Sequence, residues 1–521
     1  MSNTTPAIDL QTHRQESGHP RRWAILAVVC LGVFVTVLDG TIVNVALPSL
    51  AFDLPASNRE LQWIVDAYLL VFTGLLLAAG GLGDRYGRKK ALVAGLVVFG
   101  ITSALAGAAD SAGQLIAGRA LMGIGAALIF PATLAIITNV FADPVERAKA
   151  IGVWSAVSGV AVAAGPITGG WLLEHFWWGS VLYINVPIVI VALSAVVLMV
   201  PESSDREAPE LDRLGFVASI AAIGALVFTI IEAPEWGWTS TQTLGGFALS
   251  AALIALFVIH ELRVEHPMLP VRIFGNLRFS AASVAIASAF FALFGFVFLI
   301  TQYFQLVRGY TPLQAGVRTL PVATAIAVAS VLAPRLVERI GTTRVVSAGL
   351  ALMAIGFAWV STASVVTSYW EIVGQMVLLG TGLGMTTAPA TESIMGSLSV
   401  DKAGIGSAVN DTTRELGGTL GVAVVGSTFS SIYTGALADG ELFSSLPVEA
   451  QEPTTESVAA AQFVADRLGP LAPQFLTEVS DAFLSGLSVA CLVAAGVAAA
   501  GAVFARFFLP AHAAEERDRS I

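Results

Sequence analysis

Charged residues are scarce in this chain of 521 residues, because Asp, Glu, Lys and Arg together make up only 12% of it. Soluble domains usually carry about 25% charged residues. With 55% hydrophobic residues, this scarcity excludes a soluble globular protein. Cysteine is scarcer still. The two that occur, Cys30 and Cys491, lie in apolar segments, where cysteine acts as a small packing residue and not as half of a disulfide.

The residue patterns of common catalytic sites are also missing. The six histidines lie mostly in tails and loops and lack the spacing of a metal site. The glycine-rich stretches do not match the phosphate-binding loop and follow no predicted strand. The sequence therefore predicts a protein that is not an enzyme, holds no metal or cofactor and binds no nucleic acid. Without a nucleotide-binding domain, an ion gradient is the energy source that remains.

Long apolar runs recur along the chain, and many reach the roughly 20 residues that cross a bilayer as a helix. The polar stretch before residue 23 has no apolar core, so we expect no cleaved signal peptide. The runs predict an all-α membrane protein with about fourteen transmembrane helices, at residues 23–48, 61–81, 91–109, 113–138, 147–172, 180–200, 213–231, 243–263, 279–304, 313–334, 345–364, 370–392, 403–430 and 480–507.

The basic residues indicate on which side of the membrane each loop lies. With the N-terminus in the cytoplasm, 21 of the 27 Lys and Arg fall in cytoplasmic loops or tails, and two, Arg119 and Arg414, lie within spans. The remaining four are Arg59, Arg308, Arg318 and Arg467. Because Lys and Arg concentrate in cytoplasmic loops, both termini are predicted to be cytoplasmic. The acidic stretch 434–479 then lies outside, and we expect it to be a solvated loop, with a role in collecting substrate as the open alternative.

Two short patterns occur twice. Asp84-Arg85-Tyr86-Gly87 returns 254 residues later as Glu338-Arg339-Ile340-Gly341. Gly123-x-Gly125 followed by Pro131-Ala-Thr133 has a partner in Gly382-x-Gly384 followed by Pro389-Ala-Thr391. Such repeats predict two six-helix bundles of parallel topology with an insertion between them. The predicted parts are a tail 1–22, a bundle 23–200, a linker 201–265 with two extra helices, a bundle 266–507 and a tail 508–521.

Charged groups inside the first spans are the strongest candidates for function, since each costs at least about 2.5–3.5 kcal/mol to insert. Asp39 lies deep in the first span, and Asp66 and Arg119 lie near the outer ends of the second and fourth. An arginine beside carboxylates can hold them ionised or release them to take up a proton. Two plainer interpretations stay open: Asp66 as an interfacial residue, and Asp39 with Arg119 as a static ion pair.

A second polar group interrupts the thirteenth span, in Asn410-Asp411-Thr412-Thr413-Arg414-Glu415. Asp411 and Glu415 are four residues apart and share a helix face, and Asn410 and Arg414 share the neighbouring face. This surface should line a water-accessible cavity, although an ion pair of Arg414 with Asp411 or Glu415 is the open alternative. Aromatic residues of the ninth span could contact a hydrophobic substrate or simply pack: Phe290, Phe291, Phe294, Phe296, Phe298, Tyr303 and Phe304.

Glycines and cations mark two further segments. The loop from Gly80 to Leu92 holds Asp84, Gly87 and four cations within six residues, among them Arg85 and Arg88. Its glycines allow a sharp turn between two helix ends. In the fifth span, Ala161-x-x-x-Gly165-Pro166-x-x-Gly169-Gly170 lets another helix approach closely, and Pro166 permits bending.

Together these segments resemble the major facilitator superfamily of transporters, and within it the fourteen-span drug/proton antiporter branch of bacterial exporters. Supporting stretches are Leu38-Asp-Gly-Thr-Ile-Val-Asn-Val-Ala-Leu-Pro48, the loop 80–92, Arg119 with Gly123-x-Gly125, the 161–170 motif, Tyr183-Ile-Asn-Val-Pro187, His266-Pro-Met-Leu-Pro270 and Ser407-Ala-Val-Asn410. The resemblance implies the two-bundle fold, proton coupling at Asp39 and Arg119, a cytoplasmic gating loop at Asp84, Arg85 and Arg88, and an exporter motif at 161–170. Asp411 and Glu415 depart from the family pattern, which is commonly amide-rich there.

The function expected from the residues and the resemblance is proton-coupled export of hydrophobic, often cationic, drugs or antibiotics across the bacterial cytoplasmic membrane. The expected partners are such small molecules, protons and the lipid bilayer, and a monomer is the default of the superfamily. A narrow-specificity exporter of one natural product, a proton-coupled importer and a non-transporting membrane sensor stay open as alternatives.

Overall fold

The computed structural model describes residues 19–204, 212–265, 267–398 and 403–510. Most of the predicted tails, and residues 205–211 of the predicted linker, lie outside the described residues. Within them the chain forms fourteen long helices and no strand. These are α1 (Arg22–Asp53), α2 (Asn58–Tyr86), α3 (Arg88–Gly107), α4 (Ala112–Val140), α5 (Pro144–His175), α6 (Ser180–Met199), α7 (Arg213–Trp236), α8 (Thr241–Arg263), α9 (Leu277–Val307), α10 (Pro312–Ile340), α11 (Thr342–Val360), α12 (Tyr369–Gly396), α13 (Ala403–Ala438) and α14 (Ala472–Phe508).

Each predicted span corresponds to one of these helices, but the number that crosses the membrane is not confirmed as fourteen. In the described part of the chain, twelve helices are long and apolar enough to cross, and α2 makes a thirteenth if its two segments, bent by 52°, form one span. The helix outside this set is α12, which has 28 residues but contains several polar and glycine positions. The all-helical prediction is confirmed.

Contacts between helices separate an early group from a late group. Among α1–α6, α4 packs against α2 and α3, and α1 packs against α5 and α6. Among α9–α14, α12 packs against α10 and α11, and α13 packs against α9 and α14. Helix α7 lies between the groups and contacts both α2 and α13, whereas α8 packs chiefly on α7. The predicted bundle boundaries are consistent with these contacts and stay a proposal.

The repeated glycines turn the chain at equivalent places. Gly87, between α2 and α3, has φ of 120°, and Gly341, between α10 and α11, has φ of 82°. Residues with a Cβ rarely adopt positive φ, so glycine allows each helix pair to be joined by a single residue. The Gly87 turn is held by the Arg88 amide, which donates to the Ser203 carbonyl at 2.9 Å.

The segment predicted as a solvated acidic loop is folded in the structure. Helix α13 runs to Ala438 and α14 starts at Ala472, so both helices extend beyond the predicted ends. Between them lie three short helices, Glu441–Ser445, Val448–Glu456 and Val458–Ala465. The Glu478 carboxylate accepts hydrogen bonds from two backbone amides of the first short helix, at 3.1 and 3.2 Å. The segment thus contains short helices that bury apolar residues such as Phe443. Its place on the outer side of the membrane stays a prediction.

Candidate functional site

The two ends of the helical bundle differ in charge and in closure. We call the end with the Gly87 turn the basic end, and the end with residues 439–471 the acidic end. At the acidic end the early and late helices are in contact. The Thr301 hydroxyl of α9 donates to the Asn44 carbonyl of α1 at 2.9 Å. One turn on, the Gln305 amide donates to the Val45 carbonyl at 2.9 Å, so α9 is bound to α1 at two successive levels.

The predicted exporter motif contributes to this closure. A methyl group on Gly170 would lie 2.5 Å from the Leu313 Cα, and one on Gly316 would overlap the Pro166 carbonyl oxygen. Gly169 packs in the same way on Ile42 of α1, where a methyl would lie 2.7 Å from the Ile42 Cγ1. Because glycine has no side chain, the backbone of α5 can lie in direct contact with α10 and α1. Gly165 completes this contact against α1, at Thr41.

Asp39 and Arg119 form a buried ion pair in the early group. Asp39 is fully buried and Arg119 is 1% exposed. The guanidinium donates through Nη1 to Asp39 Oδ2 and through Nε to the Ile64 carbonyl at 3.2 Å. It also lies over the Tyr68 ring, with 4.3 Å between Cζ and the ring centroid. The pair thus ties α1, α2 and α4 together below the acidic end.

The other carboxylate oxygen of Asp39 has a partner that the sequence reasoning did not single out. The Asn185 side-chain amide donates to Asp39 Oδ1 at 2.8 Å and to the Ser103 hydroxyl at 3.1 Å. Ser103 in turn donates to the Leu182 carbonyl at 2.8 Å. The available signal was the Asn185 amide itself, a polar group within a predicted span.

Asp66 does not join this network. It is fully buried, and both of its carboxylate oxygens lack a hydrogen-bond partner among the described residues. It lies one turn after Gln62, on the same face of α2, and Gln62 Oε1 accepts a hydrogen bond from Ser427 of α13 at 3.2 Å. Asp66 is therefore enclosed by protein, and its face of α2 points to the late helices.

The polar group of α13 surrounds Thr391 of α12. The Thr391 hydroxyl donates to the Asn410 side-chain oxygen at 3.1 Å, and the Arg414 guanidinium donates to the Thr391 oxygen at 3.0 Å. Arg414 and Asp411 approach to only 4.0 Å, the limit of an ion pair. The alternative of an ion pair between Arg414 and Asp411 therefore stays open beside the cavity-lining role.

Glu415 lies in the wall of a central cavity of about 210 Å³ between the early and late helices. The cavity is lined mainly by apolar side chains, including Phe290, Phe294 and Phe296 of α9. Glu415 is the acidic residue of this lining, and no hydrogen bond to its carboxylate occurs in the described part of the chain. The other aromatic candidates of α9 are buried in packing: Phe291, Phe298, Tyr303 and Phe304.

A second cavity, the vestibule, has about 450 Å³ and lies at the basic end. Its walls include Gly80, Asp84 and Arg88 of the predicted gating loop, and Asp411 of α13. Arg88 donates to Asp84 at 2.7 Å, and the Asp84 side chain is 40% exposed. Phe130 lines both the vestibule and the central cavity. Arg85 does not line the vestibule, and its guanidinium lies 6.0 Å from the centroid of the Tyr86 ring.

The two ends of the helical bundle differ in how far they are open. The acidic end is closed by direct contact between the early and late helices, whereas the basic end holds a vestibule with a partly exposed mouth. Asp411 in the vestibule and Glu415 in the central cavity lie one helical turn apart on α13. Two acids therefore mark the path from the basic end to the centre of the protein, and a buried ion pair lies beside it.

Comparisons with known proteins agree with this architecture. A sequence profile of the Major Facilitator Superfamily matches residues 29–422. The chain is 35% identical over 492 residues to the multidrug efflux pump LfrA of Mycolicibacterium smegmatis, covering 93% of this chain and 97% of the pump. It is 36% identical over 478 residues to the methyl viologen resistance protein SmvA of Salmonella typhimurium, covering 90% and 94%. It is 32% identical over 520 residues to the tetracenomycin C resistance and export protein of Streptomyces glaucescens, covering 96% of each.

Solved structures share the fold at low sequence identity. A bacterial homologue of the human lysosomal transporter Spinster, in an inward-facing and unoccupied conformation, superposes with a TM-score of 0.67 at 17% identity, covering 94% of this chain and 98% of that one. The nucleoside transporter NupG gives a TM-score of 0.60 at 10% identity, covering 94% and 100%. The profile match, the relatives and this shared fold together show that the chain belongs to the major facilitator superfamily, a family of membrane transporters and not of enzymes.

Proposed function

We propose that the protein is a proton-coupled exporter of hydrophobic, preferentially cationic, small molecules across the bacterial cytoplasmic membrane. The observation that carries this proposal is Glu415, an acidic side chain in the wall of an otherwise largely apolar cavity between the early and late helices. Such a site attracts an aromatic or aliphatic cation through burial and charge together. The relatives support it, since those named above are an efflux pump, a resistance protein and an export protein.

In this proposal the basic end faces the cytoplasm and both termini lie there, as the distribution of Lys and Arg indicates. The vestibule then admits substrate from the cytoplasm while the acidic end is closed, which corresponds to an inward-facing state. Substrate passes Asp411 and Phe130 and binds beside Glu415. Asn410 and Arg414 hold the polar face of α13 through Thr391. The protein works as a monomer.

Release requires the two groups of helices to rock about the central cavity. The acidic end opens where Gly165, Pro166, Gly169 and Gly170 now pack against α1 and α10. The loop with Gly80, Asp84, Arg85, Gly87 and Arg88 then closes the basic end. The opening and the closing are coupled because the helices move as rigid bodies.

Protons from outside drive this change through the buried acids. Neutralising Asp39 removes its attraction for Arg119 and frees a guanidinium that must find another partner. Asp66 has no partner for either oxygen, and an unpaired buried charge would cost several kcal/mol, so we assign it the protonated form in this conformation. Uptake and loss of a proton at these two acids would bias the equilibrium between the states.

The test uses inverted membrane vesicles, in which the cytoplasmic face is outside. Vesicles with the wild-type protein should accumulate ethidium when an imposed pH gradient makes their interior acidic, and should lose the gradient faster when ethidium is added. A protonophore and Asp39→Asn should each abolish the accumulation. Movement of ethidium in the opposite direction would identify an importer, and movement independent of the gradient would refute proton coupling.

The same vesicles can be used to measure how many different substrates the protein transports. Competition of ethidium uptake by chemically unrelated lipophilic cations is expected for a multidrug exporter. A narrow-specificity exporter is the second candidate, favoured by the relative that is named for tetracenomycin C. It would leave ethidium uptake at background while one natural product is transported.

A further inference from the structure

A buried acid of the linker lies outside every site described so far. Glu261, near the end of α8, is 3% exposed. Its Oε2 accepts a hydrogen bond from the Leu269 backbone amide at 2.9 Å, and its Oε1 has no partner among the described residues. Leu269 belongs to Pro267–Pro270, the short segment between α8 and the helix Val271–Gly275 that precedes α9. Glu261 therefore holds this segment by its backbone.

Glu261 lies beside a compact cluster of hydrogen bonds at the basic end. His260 Nε2 lies 2.9 and 2.8 Å from the two carboxylate oxygens of Asp212, which also accepts from the Gly215 amide at 2.9 Å. Burial opposes ionisation of Asp212, but the hydrogen bonds from Gly215 and His260 outweigh it and lower the pKa of Asp212. A methyl group on Gly215 would overlap Glu261 Oε1. The start of α7 and the end of α8 are thus locked together around Glu261.

The segment held by Glu261 reaches the transport path. Met268, the residue before Leu269, lines the vestibule together with Asp84, Asp411 and Phe130. It is the lining residue that lies outside the long helices, because the others belong to α2, α3, α4 and α13. The short segment that follows α8 therefore completes the vestibule wall, although α8 itself packs chiefly on α7.

We infer that Met268 contacts substrate in the vestibule, and that Glu261 is the residue that positions the Met268 segment there. A methionine side chain is flexible and polarizable, so it can pack against apolar surfaces of many shapes. The ligand it fits is an amphipathic cation with its apolar part on Met268 and Phe130 and its charge toward Asp411. This inference rests on the proposed export function and assigns a role to the linker helices within it.

Transport kinetics in inverted vesicles test the contact. Met268→Ala should raise the KM for ethidium about fivefold, the effect of losing part of one apolar contact, while kcat changes less than about twofold. Met268→Leu restores apolar bulk and should restore KM. Met199→Ala is the matched control, because Met199 lies at the end of α6 and does not line the vestibule. An unchanged KM in Met268→Ala would overturn the inference and leave the export function intact.

The positioning role has its own variants. Glu261→Gln keeps an oxygen that can accept from the Leu269 amide, and its KM should stay near the wild-type value. Glu261→Ala removes the acceptor and should reproduce the KM of Met268→Ala. If Glu261→Gln and Glu261→Ala raise KM equally, the hydrogen bond to Leu269 is not what positions the segment.

A labelling experiment reports on the site without transport. Cys30 and Cys491 are buried, so a thiol introduced as Met268→Cys can be followed in the otherwise unchanged chain. A water-soluble maleimide should label it from the basic face, and saturating ethidium should slow the labelling at least about threefold, as expected for a site mostly occupied by ligand. Labelling of Met199→Cys should not change. Absence of protection would overturn the inference, whereas protection in a protein that exports nothing would support the vestibule site and refute the proposed function.

Discussion

Gly170 of α5 packs so closely on Leu313 of α10 that a methyl group on the glycine would lie 2.5 Å from the Leu313 Cα. One helix belongs to the early group and the other to the late group, and this contact closes the acidic end. Because no Cβ is tolerated there, the stability of the closed acidic end depends on that position. If the protein alternates as proposed, a substitution at this contact should shift the balance between the state with the closed acidic end and the state in which that end is open.

Gly170→Val should open the acidic end. The added side chain must push α5 away from α10, so the population shifts away from the state in the structure. Spin labels on exposed positions of opposite halves, Trp177→Cys and Val366→Cys, should move apart in the variant. Gly159→Val is the control on the same helix, since a Cβ there meets no atom within 4 Å. Equal distances in the two variants would show that the glycine contact does not hold the closure.

Asn185 should stabilise the Asp39–Arg119 site. Asn185→Ala removes the donor to Asp39 Oδ1 and should cost about 1–3 kcal/mol in the free energy of unfolding. Because the Asp39 carboxylate then loses one of its two side-chain partners, proton-driven export should fall. Ser103→Ala is the control, because it removes the partner of Asn185 and leaves the bond to Asp39. Export at the wild-type rate in Asn185→Ala would separate Asn185 from coupling.

Glu415 should discriminate charged from neutral substrates. Glu415→Gln keeps the size of the side chain, and we expect the KM for a monovalent cation to rise about tenfold, or roughly 1.4 kcal/mol. The KM for a neutral hydrophobic substrate should not change. Glu392→Gln alters an exposed acid of the neighbouring α12 and serves as the control. Equal effects on both substrate types would argue that Glu415 shapes the cavity and does not bind charge.

The Gly87 turn should tolerate no side chain. Gly87→Ala would hold alanine at φ of 120° and place its Cβ 2.7 Å from Glu202 Oε1, at a cost of about 1–3 kcal/mol. Thermal unfolding in detergent should show the loss, and export should fall with it. Gly81→Ala, in the adjacent helix with open space around its Cβ, should leave both values near the wild type. A stable Gly87→Ala protein would mean that the turn can rearrange.

Sequence patterns were sufficient for the helices but not for their ends at the acidic side. An apolar run of about 20 residues crosses a bilayer as an α-helix, because a helix satisfies its backbone hydrogen bonds within one segment. Every predicted span accordingly corresponds to a helix in the structure. The extension of α13 to Ala438 and the early start of α14 were missed, because these turns leave the apolar region and carry polar residues. At these ends the helices are stabilised by tertiary packing of buried residues such as Phe443 and Phe475. Such packing cannot be deduced from the order of apolar residues along the sequence.

The candidate site could be predicted where a charged residue lies within a predicted span, because such a residue is costly to insert into the membrane. Asp39, Arg119 and Glu415 were found in this way, since each is expensive to insert. Asn185 was not found in this way, because a neutral amide costs less free energy to insert into the membrane than a charged side chain does. Met268 was not predicted as a site residue although it lies in the stretch His266-Pro-Met-Leu-Pro270, because that stretch does not indicate which segment folds into the vestibule wall.

Helix α7 contacts α2 and α13 at the same time. At its end the Arg59 side chain of α2 pairs with Glu232 at 3.0 Å, and just beyond, the Trp238 indole donates to Ser431 of α13 at 2.9 Å. If the halves rock as proposed, these two attachments cannot both keep their lengths. One of them has to break and re-form in every cycle. The hairpin of α7 and α8 would then set the turnover rate although its helices do not contact the substrate. Two transporters with identical cavities could therefore differ in turnover rate through α7 alone.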